Sequence, residues 1–95
     1  MAIRIEITSE MDVNFYYMVT IKEENFKRIQ NDNNLTIEYD QLLPMLKKII
    51  DDCEHRPHLF KICFTLDDED GNAVVRFYHD SEMKRSELLA LDNFR

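Results

Sequence analysis

The chain opens with alternating apolar and polar residues. Ile3, Ile5 and Ile7 are separated by polar side chains, and a similar alternation, rich in aromatic and β-branched residues, resumes after a polar break. A period of two is typical of half-buried strands. The pattern therefore predicts strands at about residues 2–8 and 14–21, which we expect to pair as an antiparallel hairpin.

The pattern then lengthens and predicts two helices joined by a short extended connector. Phe26 and Ile29 share one face of a first helix, at about residues 22–31, with an acidic first turn and an Asn-rich end. Asp40 is placed to cap a second helix, and Pro44 fits a first turn, so regular helix is expected at about residues 41–54. The inward stripe of this helix is expected to consist of Leu43, Leu46, Ile49, Ile50 and Cys53.

Alternation returns in the second half of the chain. It predicts strands at about residues 58–66 and 73–79, and the Asp70–Gly71 pair between them is a strong hairpin signal. The last apolar segment is ambiguous from its residues alone. Propensity favours a helix for Leu88–Leu91, whereas its position after a hairpin favours a strand.

Length, charge and cysteine content limit the class of protein. The 95 residues, 44% of them hydrophobic with one Gly and two Pro, predict a single small domain spanning residues 1–95. A net charge of −7 disfavours nucleic acid and anionic membranes as partners. Because two cysteines form no disulfide framework and the N-terminus lacks a signal-peptide core, we expect a cytoplasmic protein.

Two stretches carry residue types that bind metals. Cys53, His55, His58 and Cys63 are close in sequence, but their spacing is unlike paired zinc knuckles and Cys53 continues an apolar stripe. The run 67–72 resembles the start of a calcium loop without its closing Glu. We interpret the first as a buried cysteine with surface histidines and the second as a solvated turn, with a small metal-binding protein as the alternative.

The residue pattern gives little support to catalysis. One Gly leaves no phosphate-binding loop. Cys63 with His55 or His58 could form a nucleophile–base pair, but the flanking apolar residues favour packing for this cysteine. We expect no enzyme activity, no catalytic residues and no cofactor.

Met83 is an apolar residue at a position that favours polar ones. It follows the strand that ends near Tyr78 and lies between Glu82 and Lys84. Either Met83 plugs the end of the core, or it is an anchor that inserts into a pocket of a partner protein. The residues alone leave both interpretations open.

The order and spacing of these segments resemble the N-terminal head domain of the spindle assembly abnormal protein six family, the scaffold of the centriolar cartwheel. The resemblance runs through FYYMVTI, EENFKRI, NNLTIEYDQLLP and KKIIDDC, and more weakly through HLFKICFTL and AVVRFYHDSEMK to LLAL. It implies an α+β fold, a small antiparallel β-sandwich or partly closed barrel with a helix-turn-helix insertion between strands. On this basis we assign residues 87–92 as a last strand.

The resemblance also implies a function. Family heads form weak head-to-head homodimers, and with a coiled coil outside this chain they close a ring in the cartwheel of the centriole or basal body, where other centriolar proteins are further partners. A bulky apolar residue, commonly Phe, projects into the neighbouring head, and Met83 takes this position. The alternative is a ciliary or repair-related head of the same fold that recruits another protein. The implied contact residues are Met83 as anchor with Glu82, Lys84, Phe77 and Tyr78.

The chain departs from the family pattern at three points. Met83 in place of Phe predicts weak pairing, because methionine is more flexible and offers less rigid area. Lys22 stands where a Ser usually caps the first helix, which predicts fraying there. The sequence also starts about one hairpin later than family heads and stops before any coiled coil. It is therefore an excised piece, a short divergent relative, or a head with an open sheet edge, and such an edge can serve as a contact surface.

Overall fold

The computed structural model describes residues 2–66 and 71–95 as two helices and five strands. The strands form two open antiparallel sheets, β1–β2 and β3–β4–β5, with both helices between β2 and β3. The predicted α+β class and the helical insertion are confirmed. In chain order the elements are β1 (Ile3–Thr8), β2 (Tyr16–Ile21), α1 (Glu23–Asn33), α2 (Tyr39–His55), β3 (Phe60–Leu66), β4 (Ala73–Asp80) and β5 (Arg85–Phe94).

The core lies between the sheets and the helices. Alternation along β4 turns Ala73, Val75 and Phe77 inward, where they meet apolar residues of β5 and of both helices. An aromatic cluster joins the two sheets, with the Phe64 ring 5.4 Å from Phe15 and 5.1 Å from Tyr17 between centroids. The buried residues are Ile3, Ile21, Phe26, Ile29, Leu42, Leu46, Ile49, Ala73, Val75, Phe77, Leu89, Leu91 and Phe94.

The second sheet consists of two consecutive hairpins. β3 and β4 pair antiparallel up to Leu66 opposite Ala73, while residues 67–70 of the predicted turn and of the calcium-loop interpretation lie outside the described residues. The C-terminal segment is a strand, β5, and not a helix. The register between β4 and β5 shifts at two places. At the shift opposite Ala73 and Val75, Asn93 of β5 adopts a left-handed φ of 64°.

α1 covers the outer edge of β5. The Asn33 side chain accepts a hydrogen bond from the Ala90 N–H at 2.7 Å and donates one to the Ala90 carbonyl at 3.1 Å, as a neighbouring strand would. One turn earlier, Arg28 forms two bonds of 2.7 and 2.9 Å to the Asp92 carboxylate. These bonds hold the pKa of Asp92 below its ordinary value. Asn33 of α1 therefore satisfies the Ala90 backbone groups, which no strand of the described residues pairs at this edge.

The start of α1 lacks the usual acceptor. The Lys22 ammonium has no lone pair for the free N–H groups of the first turn and makes no cap hydrogen bond. The reverse bond compensates in part, because the Asn25 side chain accepts from the Lys22 N–H at 3.1 Å. At the other end, Asn34 adopts the left-handed conformation with φ 53°, which closes the helix.

α2 begins earlier than predicted and buries a different stripe. The N-cap residue is Glu38 and not Asp40, and the Glu38 N–H donates to the Gln41 side chain at 2.9 Å. With the helix starting at Tyr39, Pro44 lies in the second turn and not in the first. The buried stripe is Leu42, Leu46 and Ile49, with Leu43 and Cys53 half-buried; Ile50, predicted to face inward, is 47% exposed. The two-residue shift of the start escaped the sequence argument because glutamate at a cap is uncommon. No helix among the described residues has the length and hydropathy to span a membrane.

Replacing Asn33 by Ala is expected to destabilise the domain by about 1–3 kcal/mol, because two half-buried backbone groups of β5 lose their partners. Asn31→Ala on the exposed face of the same helix is the matched control and is expected to change little. Urea unfolding monitored by circular dichroism measures both. Equal stabilities for the two variants would contradict the role assigned to Asn33.

Candidate interaction site

Met83 lies at the tip of the β4–β5 hairpin. Its side chain is 97% exposed, so the interpretation that it plugs the end of the core is wrong for this fold. Glu82 and Lys84 on either side are also exposed. Met83 is therefore an exposed apolar side chain with a charged residue on each side.

Two layers of hydrogen bonds brace the tip. Ser81 and Lys84 are bonded through their backbones, with Ser81 N–H to Lys84 O at 2.8 Å, and the Ser81 hydroxyl donates to the same carbonyl at 3.1 Å. Directly below, Arg85 donates two bonds of 2.7 and 2.9 Å to the Asp80 carboxylate. A bidentate pair of this kind fixes orientation as well as distance. Glu82 and Met83 are therefore presented on a short, closed loop.

The base of the tip contacts one aromatic ring and the backbone that leads into β3. The Arg85 guanidinium lies 5.1 Å from the centre of the Tyr78 ring, and the Asp80 N–H bonds the Leu59 carbonyl at 2.6 Å. Phe77, predicted as a contact residue, is only 5% exposed and belongs to the core, because strand alternation points it opposite to Tyr78. Of the predicted contact residues, Met83, Glu82, Lys84 and Tyr78 thus lie at or near the surface of the tip.

The predicted metal and thiol residues do not form a common site. Among described residues, the group of three potential ligands with atoms within 4.8 Å of one another is Asp51, Glu54 and His55, all exposed on α2. Of the four residues weighed from the sequence, this group contains His55 alone. Burial raises the pKa of the Cys53 thiol, which disfavours the reactive thiolate.

Sequence reasoning missed an apolar groove that Met83 does not line. All six residues of β1 line it, together with residues of α2 and of the three-stranded sheet, and its volume is about 560 Å³. Ile50 and Ile62 contribute apolar surface there, being 47% and 49% exposed. The residue that could have indicated the groove is Ile50, an apolar residue that lies next to the buried stripe of Leu42, Leu46 and Ile49 but is not part of it.

Comparison with known proteins identifies relatives of this architecture. The family described as the centriolar protein SAS N-terminal domain matches residues 1–93. A search of curated protein sequences gave no match.

Solved structures of Leishmania and C. elegans proteins share this fold. The N-terminal domain of Leishmania SAS-6 has a TM-score of 0.85 at 16% identity, covering 99% of this chain and 68% of that one. A stabilised ceSAS-6 dimer gives 0.75 at 20% identity, covering 96% and 64%. The N-terminal domain of C. elegans SAS-6 gives 0.74 at 19% identity, covering 96% and 63%. At these identities the likeness establishes the fold, and this chain spans less than two thirds of both C. elegans chains.

The brace below Met83 should be visible in the titration of Asp80. Its hydrogen bonds from Arg85 lower the pKa of Asp80 below its ordinary value. The pair therefore stabilises the tip fully above the ordinary aspartate pKa of about 3.9, and this contribution is lost as the pH falls through the folded-state value. We expect Arg85→Gln to raise the Asp80 pKa, measured by carboxyl-carbon NMR. An unchanged midpoint in that variant would argue against the brace.

Proposed function

The chain belongs to the family of centriolar SAS N-terminal domains, and on this premise we propose that it is a structural head that pairs with a second copy through Met83 to build the cartwheel of a centriole or basal body. The family assignment predicted from the sequence is confirmed by the match over residues 1–93. A cytoskeletal location and a structural role without catalysis follow from this proposal.

The observation that carries the proposal is the full exposure of Met83 on a braced tip. Its side chain is 97% exposed, and Asp80, Arg85, Ser81 and Lys84 already hold the loop in one conformation. A pre-organised loop backbone loses little further conformational entropy when a partner buries its tip. A central apolar side chain with a polar rim is also the usual arrangement of an interface hot spot.

The size of the anchor implies weak pairing. Complete burial of one methionine side chain contributes roughly 1.5–3 kcal/mol, whereas a micromolar complex requires about 8 kcal/mol in total. The net charge of −7 on each copy adds repulsion, which salt reduces. One solved relative is an N-terminal fragment of Leishmania SAS-6 with part of its coiled coil. We propose that a coiled coil outside this chain supplies the missing affinity by raising the effective concentration of heads.

We also propose that the fold is a partly closed barrel. Two backbone bonds of 2.9 and 3.1 Å join Met18 of β2 to Arg95 directly after β5, which supports the strand order β1–β2–β5–β4–β3. Such a barrel is open between β1 and β3. The tip with Met83 connects β4 to β5, whereas this opening lies between β1 and β3.

The proposal is tested by changing the anchor alone. Met83→Glu is expected to weaken concentration-dependent self-association in sedimentation experiments by removing the contact at the tip, without lowering the melting temperature, because the side chain makes no core contact. Met83→Phe is expected to strengthen association through a larger and more rigid apolar surface.

Met11→Glu is the matched control, since Met11 is another methionine that is 95% exposed on a loop. It should leave the Met83-dependent association unchanged. Equal weakening by both glutamate variants would assign the effect to charge and count against an anchor. An identical association constant for wild type, Met83→Glu and Met83→Phe would refute the proposal.

A further inference from the structure

The outer edge of β1 has no strand partner within residues 2–66 and 71–95. Among the described residues, β1 pairs with β2 alone, and the groove of about 560 Å³ beside it is lined by the whole length of β1. Unpaired edge groups next to an apolar surface are a template for another strand. Ile50 of α2 and Ile62 of β3, each about half exposed, extend this surface beyond the edge.

The sequence of β1 is complementary to itself in one antiparallel register. When two copies meet with Ile5 opposite Ile5, Arg4 of each copy lies opposite Glu6 of the other, and Ile3 lies opposite Ile7. Opposite charges at facing positions of antiparallel strands stabilise the pair. Arg4 and Glu6 are both exposed, and in the monomer they already bond each other at 2.7 Å.

Neighbouring registers are excluded by the same residues. A shift of the centre by one residue in either direction places Arg4 opposite Arg4 or Glu6 opposite Glu6, where like charges repel. Sliding one strand by a single residue against the other places Ile5 opposite Arg4 or Glu6, so that an isoleucine of the inner face meets a charged residue of the outer face. Among the registers within one residue of this centre, the charges therefore favour the one with Ile5 opposite Ile5.

We propose that β1 is a second self-association surface, separate from Met83, at which two copies of the chain join edge to edge around a two-fold axis between their Ile5 residues. The product is a continuous four-stranded sheet with the order β2–β1–β1–β2. The inner isoleucines of the second copy then lie on the groove side, towards Ile50 and Ile62. A two-fold contact is self-complementary, so it makes a closed dimer.

The two surfaces can be tested separately because Met83 does not line the groove. All variants are therefore made in a Met83→Glu background, which removes the anchor. In that background the otherwise unaltered chain is expected to form a dimer at high concentration. Arg4→Glu places Glu opposite Glu at both charged positions of the dimer, and Glu6→Arg places Arg opposite Arg. Each is expected to weaken the dimer roughly tenfold.

The decisive step is to mix the two charge-reversed chains. In a heterodimer of Arg4→Glu with Glu6→Arg, each glutamate again faces an arginine, so the mixture is expected to recover the affinity that each variant has lost. The internal Arg4–Glu6 bond is absent from both chains, and recovery therefore reports pairing between chains. Lys27→Glu mixed with Glu54→Arg is the control, since these exposed positions lie on the helices and give the same two net charges.

Sedimentation velocity and native mass spectrometry of labelled chains measure the heterodimer. Preferred heterodimers for the β1 pair but not for the helix pair support the proposal. A Met83→Glu chain that stays monomeric at every concentration would overturn it, as would equal behaviour of the two mixtures. If a charge reversal lowers the melting temperature, Arg4→Gln and Glu6→Gln replace it and should each weaken the dimer by a smaller factor. No weakening in either glutamine variant would also overturn the proposal.

Discussion

The paired hydrogen bonds between Asn33 and Ala90 are the interaction on which the arrangement of this domain depends. The Asn33 side chain accepts from the Ala90 N–H at 2.7 Å and donates to the Ala90 carbonyl at 3.1 Å, the same pair of bonds that a neighbouring strand would form with β5. These bonds attach α1 to the sheet. α1 also contacts the start of α2, where the ring centroids of Phe26 and Tyr39 are 5.7 Å apart, and the Tyr39 hydroxyl donates to the Ile21 carbonyl of β2 at 2.8 Å. Because α1 occupies the edge of β5 at Ala90, β2 meets the chain only beyond this point, where Met18 and Arg95 are bonded through their backbones.

Much of this fold was predictable because its strands and helices have regular periods. Ile3, Ile5 and Ile7 alternate, and Phe26 and Ile29 share a helix face, so element type followed directly from the sequence. What could not be predicted depends on contacts distant in sequence. The 57-residue separation of Asn33 from Ala90 carries no local signal. The start of α2 was placed two residues late, because Gln41 rather than Asp40 supplies the bond at its cap.

The candidate site was likewise predictable where the signal is local in sequence and unpredictable where it depends on the fold. Met83 was identified because an apolar residue between Glu82 and Lys84 contradicts its local pattern, and the structure supplies its exposure and the bracing by Asp80 and Arg85. Phe77 was included wrongly, since strand alternation places it in the core. The two proposed surfaces also differ physically: Met83 offers one apolar side chain on a rigid loop, whereas β1 offers backbone groups and complementary charges. Salt should therefore strengthen the first contact and weaken the second.

The central claim, that Met83 is the anchor of head pairing, is tested most directly by methyl NMR of the unaltered chain with labelled methionines. The sequence has five methionines, of which Met83 and Met11 are both almost fully exposed in the monomer, at 97% and 95%. As concentration rises, the Met83 methyl signal is expected to shift and to lose accessibility to a soluble paramagnetic probe, while the Met11 signal stays constant. A Met83 methyl that keeps its shift and its full accessibility while the protein self-associates would contradict the account.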